Sequence, residues 1–554
     1  MNKKIKFLLY LIPIIGISFF FVSSRPENQQ DKDLFEISKN IRLMTGVYDK
    51  LNTYYVDEPQ PGELMKTGID AMLKSLDPYT VYIPQSKIED YRYMTTGQYG
   101  GIGSLIQSHG QYIIISEPYL GSPAQKAGLK AGDILLEVDG TDVKGKTVSD
   151  MSLFLKGGPN TELKIKFQRD KEVKEVTFKR EEIKIPDVPF FGMMDEKTGY
   201  VKLNSFTQTA SQEVGAAIHK MRDSSNMTQL VFDLRGNGGG LLHEAVNIVN
   251  FFVPKGELVV YTKGRLEETN RNYKTSNNPF DVNMPVVVLI DDHSASASEI
   301  VSGSLQDLDR AVIIGERSYG KGLVQQTKEL EFGSMVKLTV AKYYTPSGRC
   351  IQKLDYSHRD ENGQVTEVAD SLIASFKTKN GRIVMDGRGV DPDIEIEAEY
   401  LSLLTQELII GHHIFNFATS YERSHPKIAK AKDFRLSKEE YQSFLDYLKD
   451  KNIDYTTTSK KMLEDLKKTA KDEKYLKDSE KEFEALMQKL TPNLATDLER
   501  YKPEISELIE NEIVSRYFYS QGRVENALAQ DEYLQEALKV LNDSARYNKI
   551  LSSN

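Results

Sequence analysis

The fold is decided by the stretch MPVVVLIDDHSASASEIVSGSLQDLDRAVIIGERSYGKGLVQ, which occupies residues 284–325. It opens with an unbroken apolar run, Pro285 to Ile290, of the kind found in strands that are buried on both faces. After a polar turn, apolar residues recur at helical spacing from Ile300 to Leu305. A second buried strand is predicted from Ala311 to Ile314. The alternation of buried strands with a helix predicts an α/β domain.

Small hydroxyl side chains occupy the corner between the first strand and the helix, where Ser294, Ser296 and Ser298 alternate with alanines. Lys321 lies between Gly320 and Gly322, just after the second strand. A serine hydroxyl becomes a strong nucleophile only when a base takes its proton, and a lysine can be that base when burial depresses its pKa. Amides at the start of the helix can also stabilise an oxyanion. The pattern indicates a Ser–Lys site for acyl transfer, but it does not select one of the three serines.

Two other sites and one simpler interpretation fit the same residues. The segment 315–321 nearly matches the phosphate-binding P-loop, but Gly322 stands where that motif has the Ser or Thr that holds magnesium. His293, with Asp291 and Asp292 beside it, suggests a Ser–His–Asp triad, although triad members are recognised by geometry rather than by adjacency. A helix start that is merely rich in serine and alanine would give the same pattern without any chemistry.

The sequence resembles the C-terminal processing peptidases, also called tail-specific proteases. Three motifs carry the resemblance: S-A-S-A-S-E-I at 294–300, G-K-G-L-V-Q at 320–325 and Y-T-P-S-G-R at 344–349. The resemblance implies that Ser296, the middle serine, is the nucleophile and that Lys321, 25 positions later, is the base. It also implies that Gln325 orients the lysine.

A glycine-rich turn provides a candidate oxyanion hole. The buried strand Leu230 to Leu234 ends in R-G-N-G-G-G at 235–240, and such a turn can point backbone N–H groups into a site. Leu241 breaks the spacing of a dinucleotide-binding fingerprint. The resemblance implies that either Gly239 or Gly240, together with the amide of Ala297, forms the hole. A tight turn into the next helix is the simpler alternative.

Residues 98–182 resemble a PDZ domain, because several short strands surround the motif A-G-L-x-x-G-D at 127–133. Such domains add a ligand strand to a sheet edge and bind the terminal carboxylate with loop amides. The predicted carboxylate loop consists of Tyr99, Gly100, Gly101, Ile102 and Gly103. A plain hairpin turn would also account for these glycines.

The N-terminus predicts export. Lys3, Lys4 and Lys6 precede an apolar run from residue 7 to residue 22, which small residues follow. This is the pattern of a signal peptide, and the run is also near the lower length limit of a membrane anchor. Residues 1–24 are therefore interpreted as a signal peptide or an anchor, which leaves the body exported to the periplasm, either free or held at the inner membrane.

The remaining chain suggests a multidomain α/β protein. A helical N-terminal region is predicted at 33–97, a PDZ domain at 98–182, an α/β protease core at 183–398 and a helical extension at 399–554. The resemblance implies that the protease core is crotonase-like. The 554 residues carry a net charge of −9 and one cysteine, Cys350, which argues against nucleic acid as a partner and excludes an internal disulfide. His412 and His413 in the extension lack a second ligand pair at zinc-site spacing.

These observations predict an exported serine endopeptidase that recognises the C-terminal tails of protein or peptide substrates through its PDZ domain. Its Ser–Lys mechanism requires no metal or other cofactor. Whether the PDZ domain delivers substrate or opens the site is left open, as are an adaptor lipoprotein and a homo-oligomer. The alternatives are an inactive PDZ scaffold, against which the intact Ser296, Lys321 and Gln325 argue, and a nucleotide-binding protein.

Overall fold

The computed structural model describes residues 29–397, 400–453 and 455–552, which form two compact units divided after Tyr82. Within these described ranges, no helix is long and apolar enough to cross a membrane. The segment 7–22, predicted to be a signal peptide or an anchor, lies outside the described residues.

The first unit is helical. Its elements are α1 (Gln29–Tyr54) and α2 (Pro61–Lys74), and the strand β1 (Val81–Ile83) begins at its end. The predicted helical character of this region is confirmed. Beyond α2, the carboxylate of Asp77 accepts bonds from the N–H groups of Tyr79 and Thr80, both at 2.8 Å. This turn and Pro78, which disfavours helix at the residue before it, end the helical region.

The second unit begins with a helix and a β-rich region that corresponds to the predicted PDZ domain. The elements are α3 (Ile88–Thr96), β2 (Gln98–Gly101), β3 (Ser104–His109), β4 (Tyr112–Pro118), α4 (Pro123–Lys126), β5 (Ile134–Val138), β6 (Thr141–Asp142), α5 (Val148–Leu155), β7 (Glu162–Arg169), β8 (Glu172–Lys179) and β9 (Glu181–Lys184). The main sheet has the order β3-β4-β5-β7-β8, with β6 beside β5, and β2 pairs separately with β9. Strand β3 therefore forms one edge of the main sheet.

The α/β region follows. Its elements are β10 (Phe190–Met193), β11 (Thr198–Lys202), α6 (Ala210–Ser225), β12 (Gln229–Asp233), α7 (Leu242–Val249), β13 (Leu258–Gly264), β14 (Arg271–Lys274), β15 (Val286–Ile290), α8 (Ala297–Asp307), β16 (Val312–Gly315), β17 (Leu323–Glu329), β18 (Met335–Tyr344), β19 (Leu354–Arg359), β20 (Val365–Glu367), β21 (Ser375–Lys377), β22 (Ile383–Met385) and β23 (Ile394–Glu395). The central sheet has the order β10-β11-β12-β15-β16-β23 and is parallel except for β10.

The parallel strands position the candidate site. The glycine-rich turn follows β12, the serine-rich turn follows β15, and the G-K-G motif follows β16. Because the carboxyl ends of neighbouring parallel strands meet at one edge of a sheet, the three segments converge there. Helices α6, α7 and α8 pack on one face of this sheet in a single apolar core.

A second, antiparallel sheet contains β13, β14, β17 and β18. Strand β17 carries Gln325 opposite Thr339 of β18. The segment 354–385 contributes to two short hairpins, β19–β20 and β21–β22. Short strands of polar composition have no alternation that would reveal them in a sequence.

The C-terminal region is helical, as predicted. Its helices are α9 (Leu403–Ile410), α10 (His413–Ser424), α11 (Lys438–Leu448), α12 (Thr458–Asp472), α13 (Leu476–Leu490), α14 (Leu494–Arg500), α15 (Lys502–Leu528), α16 (Glu532–Asn542) and α17 (Ser544–Leu551). Side chains from α9, α10, α11, α14 and α15 form a separate apolar core. The predicted multidomain α/β class is confirmed.

The last two helices do not belong to that separate core. Leu534, Val540 and Leu541 of α16 and Tyr547 of α17 pack against the strands of the central sheet, on the face opposite α6, α7 and α8. A parallel sheet needs a helical layer on both faces, and α16 and α17 supply the second one. The prediction of a single extension at 399–554 did not anticipate this, since the sequence shows only that these helices are amphipathic.

Candidate active site

Ser296 lies at a sharp corner between β15 and α8. Its backbone has φ 56° and ψ −109°, an unfavourable conformation for a residue with a side chain, of the kind that is retained at functional sites. The flanking serines have structural roles. The hydroxyl of Ser294 donates to the carbonyl of Leu234 at 2.9 Å, and that of Ser298 donates to the carbonyl of Asn237 at 2.8 Å. Both are fully buried, so the structure distinguishes Ser296 from its neighbours, which the residues alone did not.

A cavity of about 680 Å³ brings the predicted site residues together. Ser296, Lys321 and Gln325 all line it, and the glycine turn 238–240 lines it too. Lys321 reaches the cavity from the loop between β16 and β17, and Gln325 reaches it from β17, where its Nε2 donates to Thr339 Oγ1 at 3.2 Å. The three side chains come from separate elements, as a composite catalytic site requires.

The buried carboxylate of Glu299 joins the segments that carry the serine and the lysine. Its Oε2 accepts the backbone N–H groups of Ser296 at 2.8 Å and Lys321 at 2.9 Å. Its Oε1 accepts the hydroxyl of Ser318 at 2.6 Å and the N–H of Gly320 at 2.7 Å. Burial raises the pKa of Glu299, and the four donated bonds oppose that shift. Glu299 thereby fixes the two backbones relative to each other.

Tyr343 bonds to the backbone carbonyls of the same two residues, Ser296 and Lys321. Its hydroxyl lies 3.0 Å from the carbonyl oxygen of Ser296 and 2.7 Å from that of Lys321. The side chain is 1% exposed, so the hydroxyl is shielded from competing water. Sequence reasoning assigned no role to Tyr343 or Glu299. The signal for Glu299 was present, because glutamate three residues after a serine is typical of a helix start whose backbone N–H groups need partners.

Replacing Glu299 with glutamine is expected to lower kcat by about 10²-fold with a small change in KM. The Glu299 carboxylate accepts four bonds, so the NH₂ group of a glutamine there would face donors and have no acceptor. Leaving a buried donor without an acceptor is unfavourable by about 1–3 kcal/mol. Protonation of Glu299, whose pKa burial raises, should add a loss of activity at acid pH to the loss caused by protonation of the Lys321 base, and only the Glu299 contribution should be absent from the variant. Kinetics on a tailed reporter check this, with Glu244→Gln as the matched control, since Glu244 is also buried and accepts the N–H of Ser211. An equal loss of kcat in Glu299→Gln and Glu244→Gln would contradict a specific role of Glu299 in the site.

The glycine turn lies directly against the serine. A Cβ atom at Gly239, where φ is 99°, would lie 2.8 Å from Ser296 Cβ and 2.9 Å from Ala297 N, so only glycine fits. The turn is held by Asn237, whose Oδ1 accepts the Gly239 N–H at 2.9 Å and whose carbonyl accepts the Ala295 N–H at 3.0 Å. Gly240 also lines the cavity.

The structure gives no support to the rival sites. The N–H groups of Gly320 and Lys321, which a P-loop would direct at phosphate, donate to Glu299. The side chain of His293 is 76% exposed and bonds to Asp292, which places it at the surface and not in the cavity. In the extension, the ring of His412 packs against that of His109, with centroids 5.2 Å apart.

The predicted carboxylate loop, residues 99–103, lies in β2 and directly before β3, the edge strand of the main PDZ sheet. Tyr99, Gly100 and Gly101 belong to β2, which pairs with β9, and the carbonyl of Gly100 accepts the Gly157 N–H at 3.0 Å. Gly103 has φ 69°, and a Cβ there would lie 2.5 Å from Ser122 Cβ. The loop leads directly into the edge strand β3, and helix α5 packs beside this strand. An edge strand with a helix beside it is the arrangement to which such domains add a peptide strand.

Comparison with known proteins identifies the family. Residues 197–357 match Peptidase family S41, residues 114–169 match a PDZ domain, and residues 404–541 match a family described as "Probable PDZ-protease, C-terminal helical domain". A probable CtpA-like serine protease of Staphylococcus aureus is 33% identical over 348 residues, which are 62% of this chain and 68% of that protein. A carboxy-terminal-processing protease of Bartonella bacilliformis is 35% identical over 320 residues, 57% of this chain and 73% of that protein. The chain belongs to the carboxy-terminal-processing protease family.

Family membership confirms the resemblance stated from the motifs and makes the chain a serine-type peptidase with a PDZ domain. Among solved structures, a photosystem II D1 C-terminal processing protease aligns with 65% of this chain and 94% of its own, at 27% identity and a TM-score of 0.35. As a carboxy-terminal-processing protease, this chain combines N-terminal helices, a PDZ domain, an S41 core and a C-terminal helical domain.

Proposed function

We propose that this protein is an exported endopeptidase that selects substrates by their C-terminal tails and cleaves them with a Ser296–Lys321 dyad. The observation that carries the proposal is the convergence of Ser296, Lys321 and Gln325 in one cavity, beside a glycine turn, while Ser294 and Ser298 are bound to backbone carbonyls elsewhere.

In the proposed mechanism, the hydroxyl oxygen of Ser296 attacks the scissile carbonyl while the neutral amine of Lys321 accepts the hydroxyl proton. The lysine then gives that proton to the leaving amine as the peptide C–N bond breaks and an acyl-enzyme forms. In deacylation, water loses a proton to the lysine and attacks the ester carbonyl. As the ester C–O bond breaks, the lysine returns that proton to the oxygen of Ser296, which releases the new carboxylic acid and restores the serine hydroxyl and the neutral amine. Gln325 holds the lysine. Every proton transfer uses groups of the chain or water, so the dyad needs no metal and no other cofactor.

The oxyanion of each tetrahedral intermediate needs preorganised donors. We assign them to the amide of Ala297, the residue after the nucleophile, and to the glycine turn. Because the N–H of Gly239 already donates to Asn237, we favour the N–H of Gly240 as the second donor. This choice addresses an alternative that the sequence had left open.

We assign substrate selection to the PDZ domain, through the loop Tyr99–Gly103 and the edge strand β3. In this proposal the tail adds as a strand beside β3, and loop amides bind its terminal carboxylate. Helix α3 connects this region with the cleft, because Tyr91 and Met94 of α3 line the cavity. The hydroxyl of Tyr91 lies 2.5 Å from that of Thr327 in β17. Bound tails can thus affect the catalytic cleft as well as supply substrate.

The substrate itself offers the sharpest test of tail selection. An unfolded reporter with an apolar tail is prepared with a free C-terminal carboxylate and, as the matched control, with the same tail amidated. We expect the free tail to give a kcat/KM about tenfold higher, because a charge-assisted bond to the carboxylate is lost on amidation. Turnover is measured in EDTA and without nucleotide. Equal kcat/KM values for the two reporters would overturn tail selection but not peptidase activity.

Export and further partners are also proposals. The basic residues before the apolar segment 7–22 support export to the periplasm, with inner-membrane association if the segment is retained. An adaptor lipoprotein and a homo-oligomer are compatible with this placement. The exposed apolar side chains of α1, among them Leu34, Ile41 and Val47 at 59–61% exposure, favour association of the helical N-terminal region with another protein surface.

A further inference from the structure

The C-terminal helical region reaches the glycine turn of the candidate site through one ion pair. Asp531, the residue before α16, accepts bonds from Arg235 Nη1 at 3.1 Å and Nη2 at 2.5 Å. Arg235 is the first residue of the turn 235–240, which continues into the cavity. The two side chains are only 17% and 12% exposed, and a bidentate pair of this kind is geometrically specific.

Arg235 is held between two carboxylates. On its other side Nε and Nη2 donate to Asp233, with Nη2 at 2.7 Å from Oδ2. Lys202 supplies a second cation, 3.2 Å from Asp233. The ring of Tyr533, in the first turn of α16, lies over the guanidinium with 4.7 Å between Arg235 Cζ and the ring centroid. Arg235 thus contacts both carboxylates and Lys202 contacts one of them. Asp531 and Tyr533 come from outside the α/β region.

The backbone of the turn depends on the same group. The carbonyl of Arg235 accepts Lys202 Nζ at 2.6 Å, and its N–H donates to Asp233 at 2.8 Å. The next N–H, that of Gly236, donates to Asp291 at 2.8 Å. Three residues further on, Gly239 approaches Ser296 so closely that a Cβ would not fit. A small rotation at Arg235 would therefore be transmitted to Gly239 and Gly240, which line the cavity with Ser296.

We propose that Asp531 is a positioning residue for the peptidase reaction: through Arg235, the C-terminal helical region orients the glycine turn that supplies an oxyanion donor. The proposal rests on the function proposed above for Ser296 and Lys321. It gives the region beyond residue 399 a role in catalysis and predicts an effect on the reaction step rather than on substrate binding, because Asp531 lies outside the cavity lining.

The chain offers a matched control. Asp531 also caps α16 by accepting the N–H of Leu534 at 3.1 Å, and Asp543 caps α17 by accepting the N–H of Arg546 at 3.0 Å. Asparagine is as good an N-cap as aspartate, so Asp531→Asn and Asp543→Asn both keep their helices, and only the first removes a carboxylate from Arg235. Asp531→Glu restores a carboxylate on a longer side chain.

We expect Asp531→Asn to lower kcat by about tenfold with KM unchanged within about twofold, Asp531→Glu to recover part of that loss, and Asp543→Asn to behave as wild type. Amide hydrogen exchange should become faster at 235–240 in Asp531→Asn while α16 keeps its protection. The proposal is overturned if kcat and exchange in Asp531→Asn match those of Asp543→Asn, or if protection is lost throughout α16. If wild type shows no turnover, the dyad proposal fails instead, and the exchange comparison still decides whether Asp531 holds the turn.

Discussion

Cleavage of an unfolded, tailed reporter is expected to fall by roughly 10³-fold or more when Ser296 is replaced by alanine, and by a similar factor in Lys321→Ala. Without Ser296 no acyl-enzyme can form. Without Lys321 the hydroxyl keeps its proton, since Glu299 already accepts four bonds and is not positioned as a substitute base. Initial rates in EDTA check both variants, and mass spectrometry after exposure to a serine-directed fluorophosphonate should find the label on Ser296 of the wild type.

The matched control for this prediction is Ser302→Ala on the same helix. Ser302 is buried, and its hydroxyl donates to the carbonyl of Ser298 at 2.9 Å, so the variant removes an equivalent atom away from the cavity. It should retain nearly full activity. Because the two dyad residues act as a unit, Ser296→Ala combined with Lys321→Ala should lose little more than either change alone. Turnover that survives both substitutions would show that the site has been placed wrongly.

The sequence predicted those strands and helices whose hydrophobic pattern is continuous along the chain. The runs at 285–290 and 311–314 are strands because they are uniformly apolar, and the helix from Ala297 begins where small and polar residues follow the turn. The PDZ-like region was predictable from its glycines and short strands. The hairpins within 354–385 were not, because their short polar strands carry no periodic signal.

The candidate site was predictable to the extent that its residues lie in motifs. Ser296, Lys321 and Gln325 were assigned by resemblance, and the structure adds an independent reason to prefer Ser296 over Ser294 and Ser298. The supporting contacts could not be read from the sequence. The partner of Arg235 is 296 positions away, and nothing near either residue indicates the other. Contacts of this kind follow from tertiary packing alone.

Ending the chain after residue 529 is expected to abolish cooperative folding of the catalytic region. The deletion removes α16 and α17, and with them Leu534, Val540, Leu541 and Tyr547, which are 0–7% exposed against the central sheet. Burial of such side chains contributes about 1.5–3 kcal/mol each, so their loss is comparable with the entire stability of a domain, about 5–15 kcal/mol. Circular dichroism and thermal unfolding of the shortened chain check this, and we expect insoluble protein or a broad, non-cooperative transition.

Two substitutions at adjacent positions of the full-length chain test whether the packing of α16 on the sheet, rather than the length of the chain, is what stabilises the fold. Leu534→Asp places a charge against the buried face of the sheet, where an unpaired carboxylate is strongly unfavourable, and should lower the unfolding midpoint steeply. Gln535→Asp adds the same group one position later, where the side chain is exposed, and should leave the midpoint nearly unchanged. If the shortened chain and Leu534→Asp both unfold as wild type does, the last two helices are an accessory layer. If the shortened chain and Leu534→Asp lose cooperative unfolding while Gln535→Asp keeps it, the central sheet is not stable until α16 and α17 have packed on it. That sheet carries Ser296 and the glycine turn.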